Sequence, residues 1–372
     1  MDANRPDSDA ARAKAHTRFW RLWFAPIAAV GALATLAVGA FRVRPTPRST
    51  PSQPVVQPPV APTSTSPAGS GRILTMAEAQ TAMPARRLPR QYVQTAQLGG
   101  VSSPDKFLKD LSGIAAGADD HVYAIGDGEV RVFDAALVRL RSWRAPEGAA
   151  CLAVGPDGRV YVGSSGRVDV FDPAGVHVQT LTVGEKDKPA AVTAIKVFRG
   201  ELLVADANVR LIRRLGADGA ARGMVGHLGK TGRFMLPNGS LDLAIDAGGL
   251  VYATDTGRHQ VTTWTLDGAP IGKFGKFGMR NPEDFVGCCN PVNLALTPDG
   301  KVVTGEKMVA RVKVFEPDGT LLAVIGPEHF DPACVHIHLD VDSHGRILAA
   351  DPVRRVVTVF SLAPSRPPGE PA

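Results

Sequence analysis

The sequence predicts an all-β fold, a six-bladed β-propeller, preceded by one N-terminal transmembrane helix and a Pro-rich linker. Three observations predict the propeller. Six segments between residues 113 and 362 repeat one pattern of strand, Gly-containing turn, strand, polar corner and strand. Their second strands begin at Val122, Val160, Leu202, Val251, Val302 and Ile347, so the repeats are 38 to 51 residues apart, the span of a four-stranded blade. The sixth repeat runs out at Leu362, one strand short, while Gln91–Leu98 alternates correctly ahead of the first. That segment is expected to supply the missing outer strand and so close the ring, which removes exposed sheet edges.

Taken in order, residues 1–21 form a basic N-terminus with Arg12, Lys14, Arg18 and Arg21. Residues 22–41 are uncharged and apolar, long enough to cross a bilayer as a helix, with Trp20, Trp23 and Phe24 at the interfacial end. The charge bias puts the N-terminus in the cytoplasm and the rest outside, so the expected location is the inner membrane, single-pass, with the propeller in the periplasm. A cleaved signal peptide is the other reading, with Val38-Gly39-Ala40 as cleavage site. Residues 42–90 form a linker, with eight prolines in 43–70, a composition that favours extended polyproline II over a core. The propeller occupies 91–362, and residues 363–372 are a Pro-rich tail expected to be disordered.

The chain has 372 residues, 44% of them hydrophobic, and a formal charge of +6. The apolar fraction excludes wholesale disorder, and four cysteines are too few for a disulfide framework. Residues 1–90 carry 12 Lys/Arg and 4 Asp/Glu, or +8, whereas residues 91–372 carry 30 and 32, or −2. The basic balance therefore belongs to the leader, and a near-neutral propeller argues against a nucleic-acid partner, whose binding rests on clustered cations.

Within the repeats, Asp157-Gly158 and Asp299-Gly300 are tight-turn signals between first and second strands. Gly232-Arg-Phe-Met-Leu-Pro-Asn-Gly239 leads into Leu243-Ala-Ile-Asp246, then Val251-Tyr-Ala-Thr-Asp255-Thr-Gly-Arg-His259, then Trp264-Thr-Leu-Asp-Gly268. On these residues the region resembles the NHL-repeat family. The resemblance implies a six-bladed propeller and no single function, since its members include binding modules, signalling ectodomains and a few enzymes. It also implies that Asp206, Asp255 and Asp351 satisfy backbone donors at the corner after the second strand. The first two repeats have Gly126 and Ser164 near that position.

Propeller geometry places the residues that open each inner strand around one channel mouth: Gly113, Cys151, Ala194, Asp242, Asn293 and His338. Two long links reach the same face. One holds Cys288 and Cys289. The other holds Cys334, His336 and His338, whose alternation puts three side chains on one side of an extended strand. With Glu306 from the corner between them, these residues make a candidate site for a transition metal ion, since thiolates and imidazoles suit softer metals. The same cysteines also read as a disulfide of Cys334 with one of the vicinal pair, or a strained Cys288–Cys289 bond. The remaining candidates for a binding face are Asp242, Asn293, Asp255, Arg258, His259, Arg311 and Asp351, with Arg354, Arg355 and His227 beside them. Cys151, Trp143 and Trp264 read as packing residues.

The first functional expectation is a membrane-tethered, extracytoplasmic module that binds a protein partner, or a small ligand at the channel mouth, without catalysis. The alternative is a metal-binding or redox-associated envelope protein using the Cys/His cluster. A second alternative is a metal-dependent hydrolase or lyase. Propellers resembling gluconolactonases hold a divalent ion with Asn, Asp and Glu. Asp242, Asn293 and Pro237-Asn238-Gly239 are similar to that arrangement, although Gly113 stands where an acidic ligand is expected. NHL-like amidating lyases use histidines around zinc, and His259, His336 and His338 are the matching types. No phosphate-binding loop, Ser-centred hydrolase motif or haem-attachment motif is present, so the reading leans away from an enzyme.

Overall fold

The computed structural model describes residues 88–227 and 232–364. The expected basic N-terminus, the membrane-spanning segment 22–41, the linker up to residue 87 and the tail beyond residue 364 lie outside the described residues. Among the described residues no helix is long and apolar enough to cross a membrane. The only helical turns there are short 3-10 segments at Thr256–Arg258 and Pro327–His329.

Six four-stranded antiparallel sheets follow one another along the chain. The inner strands are Gly113–Ala116, Cys151–Val154, Val192–Phe198, Leu243–Ile245, Asn293–Leu296 and His338–Val341. The second strands start at Val122, Val160, Glu201, Val251, Val302 and Ile347. Five of these six starts coincide with the expected ones and the sixth differs by one residue. Each inner strand packs beside the next, and the sixth packs beside the first, so the ring is closed. The closing sheet consists of the last three strands among the described residues plus Tyr92–Gly99. Tyr92 opposes Leu362 and Gly99 opposes Val356 in antiparallel register.

Burial explains why the strands differ in composition. A second strand has a neighbouring blade on each side, so both of its faces are covered. Val122–Gly126, Val160–Ser164, Val251–Asp255 and Ile347–Asp351 are buried along their whole length. They consequently read as continuous runs of aliphatic, small and Tyr residues, without polar alternation. Outer strands keep one face in water; Arg139–Arg144 and His177–Thr182 are mostly exposed or half-buried. The apolar core is divided into six clusters, one between each pair of adjacent blades. Between blades five and six, for instance, Val303, Val312 and Val314 meet Ile337, Ile347 and Phe360.

Five of the six turns at the far end of the inner strands share one geometry, while blade three turns on Arg199 and Gly200, both at positive φ. In Thr297–Gly300 the Gly300 N–H donates to the Thr297 carbonyl at 2.9 Å, and Thr297 N–H donates to Lys301 O at 2.9 Å. Gly300 sits at φ +78°, the left-handed region where a side chain is penalised. The Asp-Gly signals therefore mark where the hairpin needs a left-handed residue. The other face carries the long links and the corners between second and third strands, and this is where the candidate residues gather.

Candidate functional site on the loop-bearing face

In five of the six blades the corner after the second strand is built around one acidic side chain; blade two has Ser164 there. Asp206 accepts the Ala191 and Asn208 N–H groups, each at 3.1 Å, and pairs with Arg213 at 2.8 Å. Asp255 accepts Met235 N–H at 2.8 Å and pairs with Arg258 at 2.6 Å. Asp351 accepts N–H groups of Asp331, Val353 and Arg354. In each case a carboxylate ties the incoming link to the blade it feeds. Charge-assisted hydrogen bonds of this kind are about twice as strong as neutral ones. Arg354 donates to the carbonyls of His329 and Phe330, and Arg355 to that of Leu108. Blade one carries the same device one residue later than expected. Asp127 accepts N–H groups of Leu108, Lys109 and Asp110 and pairs with Arg131 at 2.9 Å.

Glu306 is the corner of blade five. It is fully buried, with Arg311 at 3.1 Å and Lys313 at 2.6 Å, both also buried, and it accepts Val286 N–H at 3.2 Å. Its oxygens are thus engaged by two cations and a backbone donor. Burial pulls the Lys313 ammonium down to about 8, although Glu306 beside it opposes that shift. Lys313 also donates to the Asp284 carbonyl at 2.7 Å.

The link before blade five is fastened at several points. Asn290 donates to the Val286 and Lys307 carbonyls and accepts Lys307 N–H at 2.9 Å. His259 Nε2 meets Gly287 O at 2.9 Å, and the His259 ring stands edge-on to Phe277 at 5.2 Å. Inside this frame the Cys288 and Cys289 sulfurs lie 2.8 Å apart. Cys288 is exposed and Cys289 buried. Burial, then the neighbouring Cys288 thiol, pushes the Cys289 thiol up to about 11.

Cys334 takes a different direction. Its N–H closes a turn onto Asp331 O at 2.9 Å, so residues 334–337 precede the inner strand and do not extend it. The Cys334 sulfur points to the His336 carbonyl at 3.4 Å within the core between blades five and six. The structure pairs it with neither vicinal cysteine. His336 and His338 do come together, with ring centroids 4.6 Å apart. Burial and the Lys307 cation lower His336 to about 4; burial and His336 hold His338 well below the ordinary imidazole value. Both rings are therefore neutral near pH 7. Among the described residues no group of three or more His, Cys, Asp or Glu side chains is arranged to hold a metal ion. The six candidates for such a site are distributed over a salt-bridged corner, a thiol pair, a core thiol and a channel-side imidazole pair.

His338 lines a small cavity in the channel, about 40 Å³, with Cys151, Thr193, Lys196, Asp242 and Asn293. Asp242 reaches from blade four to blade five, accepting Asn293 Nδ2 at 3.0 Å and Leu294 N–H at 2.9 Å. Burial raises its carboxyl despite those bonds and the Lys196 charge. Asn293 Oδ1 is buried and has no hydrogen-bond partner. Burial and Asp242 push the Cys151 thiol up to about 12, leaving it a packed neutral group. Below them Lys196 of blade three crosses the channel to Asp340 of blade six at 3.1 Å, joining opposite blades. Burial opposes the Lys196 charge, but Asp340 and Asp242 raise its pKa overall. Sequence reasoning missed this bolt. Its signal was a Lys and an Asp in inner strands that carry no other Lys, Arg, Asp or Glu.

Sequence reasoning also missed an apolar strip over blades four and five. Met235, Phe277 and Met308 are 42%, 56% and 48% exposed. Met235 lies over Gly257, Phe277 meets His259, whose ring nitrogen meets Gly287 O, and Met308 lies over Gly287. Met279 is also exposed beside Phe277 in the chain. His227 is exposed and lies near Gly268. Trp264 donates to Thr262 and packs on Phe234, and Trp143 packs on Phe171.

The fold and its face define a six-bladed β-propeller. No protein-family model matches the chain. Among solved structures it is similar to a streptogramin B lyase, at 12% identity and a TM-score of 0.52, over 74% of this chain and 98% of that one. It is also similar to a chain of the mitotic checkpoint complex, at 12% identity and a TM-score of 0.51, over 83% and 98%. A protein of unknown function from Bacteroides thetaiotaomicron aligns at 16% identity and a TM-score of 0.53, over 73% of each chain. At these identities the likeness is one of fold alone.

Proposed function

We propose that this chain is a membrane-tethered, extracytoplasmic propeller of the NHL-like type that binds a partner protein on its loop-bearing face. The observation that carries the reading is the exposed strip of Met235, Phe277 and Met308 on firmly fastened loops. Methionine and aromatic side chains are the types enriched where proteins meet, and a clustered apolar surface has a cost in water unless something covers it. The tether rests on the basic residues 1–21 and the apolar run 22–41. The test is cross-linking and co-purification from native membranes with the full chain, beside the triple variant M235S/F277S/M308S. A partner captured by the wild-type chain and lost from a normally folded variant supports the reading. Equal capture by both, or a wild-type chain found free of membranes, overturns it.

A second reading has one specific observation behind it. Asn293 Oδ1, buried and unpartnered beside the channel cavity, is an acceptor in want of a donor, and such groups carry a cost of about 1–3 kcal/mol. A small ligand with an N–H or O–H group at the channel mouth would meet it. Lys196 and the commitment of Asp242 to blade five weigh against a divalent cation there, and hence against the metal-dependent hydrolase built on Asp242 and Asn293.

A further inference from the structure

The thiol pair at Cys288–Cys289 has no place in either reading, and its geometry distinguishes it from the other cysteines. The two sulfurs are 2.8 Å apart. Two thiolates sharing a tetrahedral metal with bonds near 2.3 Å would stand about 3.7 Å apart, so the pair is set closer than a chelate requires. Cys151 and Cys334 are buried in separate interblade cores, so neither competes for these sulfurs. The frame around the pair fixes it from both sides. Gly287 O is held by His259, Asn290 is locked to Lys307, and Cys289 itself is in the left-handed region at φ +64°. Cys288 is exposed and Cys289 is not, which gives the two sulfurs different roles: one meets the solvent, the other waits behind it.

We infer that Cys288 and Cys289 form a reversible dithiol–disulfide site that exchanges with low-molecular-weight disulfides. Cys288, as thiolate, attacks one sulfur of the incoming disulfide and releases the first thiol, leaving a mixed disulfide. Cys289, on losing its proton to solvent, attacks the Cys288 sulfur and releases the second thiol. Two cysteine thiols are oxidised and one external disulfide is reduced to two thiols, so electrons and protons balance. Adjacent α-carbons are about 3.8 Å apart, below the usual 4.4–6.8 Å for a disulfide. The ring is therefore strained, and strained, exposed disulfides are the readily reduced ones. The site is reversible for that reason, and it stands next to Met308 at the edge of the apolar strip.

The experiment equilibrates the full chain in glutathione buffers of graded reduced-to-oxidised ratio, quenches with acid, alkylates in denaturant and weighs the peptides. The expected result is an internal Cys288–Cys289 bond, lighter by two hydrogens, rising from under about 10% to over about 90% across the series. Cys151 and Cys334 stay alkylatable throughout. The exposed-site variant C288S abolishes the signal, and C289S stops at the mixed disulfide on Cys288. A peptide that remains doubly alkylatable in the most oxidising buffer overturns the inference. So does oxidation that appears only as chain-to-chain dimers through Cys288.

Discussion

The corners of blades two and five occupy equivalent positions and solve opposite problems. Blade two is entered by a link of six residues, 145–150, and its corner holds Ser164, buried, with an unpartnered hydroxyl. Blade five is entered by eighteen residues, 275–292, and its corner holds Glu306 with two buried cations and a backbone donor. The remaining blades follow the same division. Links of nine to seventeen residues go with Asp127, Asp206, Asp255 and Asp351. A long link brings backbone donors to the corner that need an acceptor, and a carboxylate supplies it; a short link brings none. The acidic column is thus a set of loop fasteners whose presence tracks loop length.

The sharpest way to break this comparison is Glu306→Ala. It strands Arg311 and Lys313 in the interior, and breaking a buried pair this way costs about 3–5 kcal/mol. Chemical denaturation should register that loss, and a change under 1 kcal/mol would refute the buried-pair account. Next comes Asp127→Ala, which releases three N–H groups and Arg131. An expected cost of about 2 kcal/mol, with hydrogen exchange rising at residues 108–110, would confirm blade one as a fastened corner. Third is acid titration of the fold. His336 is held at about 4 in the folded chain by burial and Lys307, below its ordinary 6.5, and His338 shifts the same way. The unfolded chain takes up protons first as the pH falls. Stability is complete above about 6.5 and is lost between there and about 4, by roughly 1–3 kcal/mol for His336. His336→Gln should flatten the melting-temperature profile in that window. The smallest effect belongs to Ser164→Ala, expected within about 0.5 kcal/mol of wild type; a larger loss would mean that the short-link corner also needs its polar group.

The strand grammar was readable because covered second strands force long apolar runs and hairpins force Asp-Gly. Val122, Val160, Val251, Val302 and Ile347 begin strands where periodicity put them. Long-range pairings left weaker traces. Asp127 was overlooked because the corner slipped by one residue. The Lys196–Asp340 bolt joins residues 144 apart, and only their polarity among apolar neighbours hinted at it. The Cys334-x-His336-x-His338 alternation assumed extended backbone; the Asp331–Cys334 turn rotates the thiol into the core and leaves His338 at the channel with His336 against it. Side-chain direction depends on the local backbone, and spacing alone does not supply it.

The sheet that joins Tyr92–Gly99 to Val356–Leu362 also governs the order of events in folding. Tyr92–Gly99 has no partner until Val356–Leu362 exists, with more than 250 residues between them. Interblade contacts accumulate early from neighbouring segments, whereas this pairing must wait for the slow search that distant contacts impose. During synthesis the nascent chain passes through a stage with five blades and an open gap. A truncation of even the final strand would leave the polypeptide held at that stage, with the edge of Tyr92–Gly99 unsatisfied.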